Sequence, residues 1–159
     1  MTAAIRMARE AGLLVALDLA SYNVVESNKD FLQALVEGSI DLVFANEEEA
    51  KALTGLEPEA ALRWLGDRVD IAVVKLGAKG AIACKGQEVA SQPAVATRCV
   101  DTTGAGDLFA AGFLYGLALD KSLNDCAYYG TVAAAKVIEY IGPKIDKDGW
   151  EDVLTAFHA

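Results

Sequence analysis

A chain of 159 residues, 53% of them hydrophobic and 23% charged, has the composition of a folded domain with a core of its own, not of a disordered segment. Its 14 basic and 23 acidic residues leave a formal charge of −9, which argues against nucleic acid or an anionic membrane as a partner but leaves room for a small anionic nucleotide met by local amides. No apolar run is long enough to span a bilayer, and the start around Arg6 lacks the hydrophobic core of a signal peptide, so the chain reads as soluble and cytoplasmic.

A helix is predicted over 5–11, stopped by Gly12, and then an unbroken apolar strand over 13–17 that ends at Asp18. Apolar character without alternation is the pattern of a parallel strand covered on both faces. A loop follows through Ser21, Tyr22 and Asn23. Ser27 or Asn28 caps the next helix, whose stripe is Phe31, Leu32, Leu35 and Val36 and whose stop is Gly38. The second strand, 40–45, runs into a helix capped by Asn46, with Glu47, Glu48 and Glu49 at the positive end of its dipole and Gly55 at its close. Pro58 opens another helix, carrying Ala61, Leu62, Trp64 and Leu65. The third strand, 71–76, breaks at the turn from Gly77 to Gly80, and short strands at 81–84 and 88–90 make a hairpin turned at Lys85 and Gly86. Beyond Pro93 come two long helices, about 108–119 and 123–140, the second rich in alanine and ended by Gly142 and Pro143. A last helix covers 149–157.

Strands alternating with helices, with no repeat or low-complexity linker, give one α/β domain over 1–159, its sheet mainly parallel with a small antiparallel extension. Ligands of such sheets sit outside the carboxyl ends of the strands. Asp18, Asn46, Gly77 and the turn at 104–107 all follow a strand, so a parallel sheet would set these four loops on one edge.

Between residues 100 and 113 the polar approach of Val100, Asp101, Thr102 and Thr103 meets Gly104, Ala105 and Gly106, then Asp107 and an apolar helical run. The two glycines permit backbone conformations, and a closeness to ligand, that a Cβ forbids. The first amides of the following helix lack intrahelical partners and make an anion site. A turn with a helix cap is the plainer reading of the same residues. The dinucleotide fingerprint fails because Phe109 stands at its third glycine, and a P-loop fails because no Gly-Lys-Ser/Thr occurs here or at 77–80. Three widely spaced cysteines, Cys84, Cys99 and Cys126, read as buried reduced thiols, and the single histidine, His158, rules out multi-histidine metal sites and histidine triads.

The longer pattern from Asp101 to Asp107, followed by Ala111-Gly112 and Phe113-Leu114, resembles the C-terminal signature of the ribokinase-like (PfkB) family of sugar and nucleoside kinases. Asn46 and Glu49 fit that family's NxxE motif. Gly77 and Gly80 look like its nucleotide-contacting GxxG loop, and the alanine-rich helix with Gly130, Ala133 and Ala134 resembles the one that borders the adenine. The resemblance implies a three-layer ribokinase-like fold, a mainly parallel sheet flanked by helices. The chain would be its C-terminal nucleotide-binding and catalytic portion, the N-terminal part missing.

It further implies transfer of the γ-phosphoryl of ATP to a hydroxyl, with Asp107 as the base and the amides of Gly104, Ala105 and Gly106 as an anion hole. A carboxylate in a first helical turn is kept ionised by the dipole, which suits a base. Asn46 and Glu49 would hold Mg²⁺ through water, against the plainer reading of a capped acidic helix start. Lys75, Gly77, Gly80, Gly130, Ala133 and Ala134 would meet the nucleotide; Lys75 can also be a strand-end surface charge. Asp101 and Thr103 stand where many members bind a monovalent cation, often K⁺, and otherwise read as an Asx turn. Thr131 departs from the asparagine that many relatives carry nearby. The acceptor would be a sugar, with an adenosine-type nucleoside as the alternative; as a fragment the chain is expected to be inactive alone, and a nucleotide-binding module without turnover is the reading from a different class. Nothing here matches the family's acceptor-binding residues, so the first strand is expected to have lost a neighbour and its apolar edge to drive self-association, giving a homo-oligomer.

Overall fold

Five strands and eight α-helices follow one another along residues 2–158, the part of the chain that the computed structural model describes. They run α1 (Thr2–Glu10), β1 (Ala16–Asp18), α2 (Tyr22–Ser27), α3 (Lys29–Gly38), β2 (Leu42–Asn46), α4 (Glu47–Thr54), α5 (Pro58–Gly66) and β3 (Ile71–Lys75). A single 3₁₀ turn (Gly77–Lys79) then precedes β4 (Ala81–Lys85), β5 (Glu88–Gln92), α6 (Ala105–Ala118), α7 (Leu123–Val137) and α8 (Lys147–Phe157). The sheet has the order β1-β2-β3-β4-β5, and β1, β2 and β3 are parallel, with Ala16 opposite Leu42 and Leu42 opposite Ile71. This is the α/β sheet flanked by helices that the alternating pattern implies. No helix among the described residues is long and apolar enough to cross a membrane.

The chain divides into two compact units, one built from residues up to Leu76 together with Ile82–Val89, the other from Gly77–Ala81 and from Ala90 onward. In the first, Val43, Ala45, Ala72 and Val74 of β2 and β3 pack with Val25, Val36, Leu53, Leu62 and Leu65 of the helices, all at 4% exposure or less. Removing this much apolar surface from water is the main term holding the unit together. In the second, α6 and α7 touch closely because small residues face large ones. A Cβ at Gly112 would run into the Tyr129 carbonyl, and one at Gly130 would stand 3.0 Å from the Phe109 ring. Tyr129 stacks on Phe157 of α8 at 4.1 Å and donates its hydroxyl to the Phe157 carbonyl at 2.6 Å.

Several expectations are corrected. The strand expected over 13–17 is only Ala16–Asp18, because the turn at Gly12 (φ 69°) ties the Leu13 amide back to Ala8. Leu13 and Leu14, ahead of the strand, are exposed, and within it Ala16 and Asp18 are exposed while only Leu17 is half-buried, so the strand is not covered on both faces. The expected loop at Ser21, Tyr22 and Asn23 opens α2, with the Ser21 hydroxyl accepting from the Val24 amide. Neither Ser27 nor Asn28 caps α3 with its side chain; Asn28 instead donates its amide to the Val24 carbonyl, and Phe31 falls off the buried stripe at 45% exposure. α6 begins three residues early, at Ala105. α7 stops at Val137, and α8 starts at Lys147 behind an Asp146 cap. Cys84 and Cys126 are buried as expected, but Cys99 is exposed.

Candidate functional site

The start of α6 is an open helix end. Its cap, Gly104, sits in the left-handed region (φ 83°), and a Cβ there would come within 2.7 Å of Pro143. Glycine is therefore required for both reasons, and it brings no side chain to close the amides. The helical ladder begins with the Leu108 amide donating to the Gly104 carbonyl at 2.9 Å. Of the three residues expected to form an anion hole, Ala105 already donates its amide to Thr102 at 3.1 Å. The amides of Gly104, Gly106 and Asp107 have no partner among the described residues. Asp107, in the first turn, is exposed.

The approach to this turn is fixed by Asp101. One of its carboxylate oxygens accepts from the Thr103 amide at 2.9 Å and hydroxyl at 2.7 Å, the Asx turn expected from the residues. The other accepts from the Gly142 amide at 2.8 Å. These donors, Thr103's amide foremost and then Gly142's, hold the Asp101 carboxyl below its usual acidity range. Gly142 and Pro143, read in the sequence only as a helix stop, thus clasp the 101–104 turn from behind.

In the other unit, Asn46 ends β2 and caps α4 in one step. Its side-chain oxygen accepts from the Glu49 amide at 2.8 Å, while Glu49 accepts from both the Asn46 amide and its side-chain nitrogen, each at 2.8 Å. This is a capping box with a third bond added. Glu49 is 3% exposed. Burial pushes its carboxyl above the usual range, while the Asn46 amide and the charge of Lys75 pull the other way. Lys75 at the end of β3 places its ammonium 2.9 Å from the Asp18 carboxylate at the end of β1. The parallel order therefore brings Asp18, Asn46, Glu49 and Lys75 to the carboxyl ends of three adjacent strands. Asp18's partnership with Lys75 went unforeseen, and its only sequence signal was a carboxylate closing an apolar strand.

Gly77 and Gly80 both have positive φ, 57° and 101°. Gly80 is obligatory, since a Cβ there would overlap the carbonyl oxygen of Gln92; at Gly77 the space is open. Gly130 lies at the crossing of α6 and α7, Ala133 is buried beside Val153 and Phe157, and Ala134 is half-buried. Gly130 and Ala133 thus have packing roles that the alanine-rich pattern did not reveal. Thr131 donates its hydroxyl to the Tyr128 carbonyl at 2.8 Å. Among the described residues no group of three or more His, Cys, Asp or Glu side chains could hold a metal ion by itself.

Residues 1–148 match the family model described as pfkB family carbohydrate kinase. The chain belongs to the PfkB family. Among solved PfkB-like structures, a probable sugar kinase from Rhizobium etli is 37% identical with a TM-score of 0.90, over 96% of this chain and 47% of that one. The adenosine kinase from Sinorhizobium meliloti is 36% identical with a TM-score of 0.89, over 96% and 48%. The ribokinase of Arabidopsis thaliana, solved with ribose and ATP, is 27% identical with a TM-score of 0.78, over 96% and 50%. The chain spans about half the length of these solved kinases, and 23–44% of the length of eight curated relatives.

Proposed function

We propose that the chain carries the ATP-binding and catalytic portion of a kinase that moves the γ-phosphoryl group to a hydroxyl of a sugar. The observation that carries this reading is the uncapped start of α6, with free amides beside an exposed first-turn carboxylate. ATP, when bound, supplies the phosphoryl group and an ADP leaving group. Asp107 takes the proton of the acceptor hydroxyl as its oxygen bonds to phosphorus and the bond to the β-phosphate oxygen breaks. The amides of Gly104, Gly106 and Asp107 face the charge that gathers on the moving group; Ala105 joins only by releasing Thr102. Lys75 meets phosphate as a point charge, and Gly77, Gly80, Gly130, Ala133 and Ala134 shape the nucleotide's surroundings.

The residues fit Mg²⁺ in a limited way. Each Glu49 oxygen makes one hydrogen bond and keeps a lone pair, so Glu49, with Asn46 orienting it, would hold the ion through water and not as a cage. That suits an ion that keeps several waters and arrives with phosphates. For a monovalent cation such as K⁺, the Asp101 oxygen that accepts both Thr103 donors is used up, whereas the oxygen facing Gly142 and the Thr103 hydroxyl oxygen keep lone pairs and would act beside backbone carbonyls of this turn.

A nucleoside acceptor is the second reading, favoured by the 36% identity to an adenosine kinase over 96% of the chain. Isothermal titration with ATP, then an ADP-release assay over a panel of sugars and nucleosides, tests all of this. Turnover confined to sugars supports the first reading, and turnover confined to nucleosides the second. Nucleotide binding without transfer to any acceptor would make the chain a binding module. We also propose that two copies associate through the β1 edge, where Leu13 and Leu14 are exposed. Light scattering is expected to give a mass above one chain, and a monomer at high concentration would exclude this.

A further inference from the structure

Asp18 and Lys75 are 57 residues apart in sequence and close the ends of β1 and β3, the two strands on either side of β2. The Lys75 side chain is 14% exposed and that of Asp18 36%. The Asp18 carboxylate is itself held: its other oxygen accepts from the Ala20 amide at 2.9 Å, in a turn where Ala20 takes a positive φ of 66°. The lysine stem is thus laid along the strand ends, with its ammonium delivered to one fixed carboxylate oxygen. The carboxylate side of the pair is open to water while the lysine is largely covered, so the contact lies at the surface, where ion pairs are weak and open to exchange. A polyphosphate offers more negative charge and more acceptor oxygens than one carboxylate.

We propose that Asp18 is the positioning residue for Lys75 and that the two form an exchangeable ion pair, in which the phosphates of an incoming nucleotide take the ammonium from Asp18. This rests on the nucleotide-binding reading above. Asp18 then plays two opposed parts. It presents the lysine in one place, and it competes with the nucleotide for it.

The test is isothermal titration of the full chain with ATP, without and with Mg²⁺, for wild type, Asp18→Asn, Lys75→Met and the double variant, each checked for folding by circular dichroism. Asp18→Asn keeps the oxygen that Ala20 needs and removes the competing charge, so it is expected to tighten Mg²⁺-free ATP by about 3- to 5-fold, the scale of an exposed ion pair. Lys75→Met is expected to weaken it by about 10- to 100-fold, the scale of a lost charged hydrogen bond. The double variant is expected to match Lys75→Met, because without the lysine Asp18 has nothing to compete for. Should Lys75→Met fail to fold, Lys75→Gln takes its place in the cycle. If Asp18→Asn tightens binding equally with and without Lys75, the aspartate acts by general repulsion and the exchange is overturned. It is equally overturned if Asp18→Asn changes nothing while the wild type binds. A wild type that does not bind ATP at all brings down the kinase reading first, and this inference with it.

Discussion

α4 and α6 both carry an acidic residue at the third helical position, yet they treat their first amides in opposite ways. In α4 the cap is Asn46, whose side-chain oxygen takes the Glu49 amide while Glu49 reaches back to the Asn46 amide and side chain. In α6 the cap is Gly104, which has no side chain, and the Gly106 and Asp107 amides have no partners among the described residues. Glu49 is buried and Asp107 exposed. The choice at the cap decides the use of the helix end. An asparagine closes it and turns the donors to stability, whereas a left-handed glycine leaves the same donors for an anion from outside. The acidic residue follows suit, turned inward as a cap partner in one case and left exposed in the other, where the proposed mechanism uses it as the base.

Substitutions at the two helix starts separate these uses. In a kinase complete with its acceptor site, Asp107→Asn is expected to cut turnover by about 10²- to 10⁴-fold, the usual scale for losing a general base, with nucleotide affinity and melting temperature nearly unchanged. Steady-state kinetics beside a thermal melt checks both halves, and a variant that kept its rate would end the assignment of Asp107. Glu49→Gln is expected to raise the Mg²⁺ concentration needed for half-maximal nucleotide binding by about 10-fold, as for residues that orient a metal's shell. An unchanged Mg²⁺ titration would return Glu49 to its capping role alone. Asn46→Ala is expected to cost about 1 kcal/mol of stability, the value of a lost N-cap, read as a lower urea midpoint at constant slope. No such cap exists to be lost at Gly104, where a side chain would bring only strain and the clash with Pro143.

What was legible in the sequence was local. Asn46 as a cap, Pro58 at a helix start and Gly55 at a helix end rest on chemistry within a few residues, and each stands where it was read. The run at 13–17 misled because apolar character was taken for strand character, while the turn at Gly12 holds Leu13 in a hydrogen bond to Ala8 before the sheet begins. α2 was missed although Ser21 is a good cap, because Val24 and Val25 are β-branched and the helix is only six residues long. The site was half legible. The glycines and carboxylates of the two motifs are marked by their resemblance to the PfkB signature, since their spacing alone reads equally as a turn and a capped helix start. The Asp18–Lys75 pair depends on strand order, the clasp of Gly142 on Asp101 spans 41 residues, and Gly130's fit against Phe109 is a matter of how two helices cross.

The smallest expected effect concerns the turn that keeps α6 open. The hydrogen bonds from Thr103 and Gly142 hold the Asp101 carboxyl below its ordinary 3.8, so the folded chain favours the ionised form more than the unfolded chain does. For a depressed carboxyl, the resulting stability is fully present above pH 3.8 and is lost as the pH falls through the lower folded value. Asp101→Asn keeps one acceptor oxygen and turns the other into a donor, facing either the Thr103 amide or the Gly142 amide. At neutral pH the variant is therefore expected to melt below the wild type. The gap should narrow on acidification below 3.8, because the wild-type carboxyl then gains a proton and loses the same advantage. Thermal melts of the two proteins across that range measure it. A gap that stays constant with pH would mean that the shape of the side chain, and not its charge, holds Gly142 against the 101–104 turn. In that case the open start of α6 would owe its position to packing on Pro143 alone.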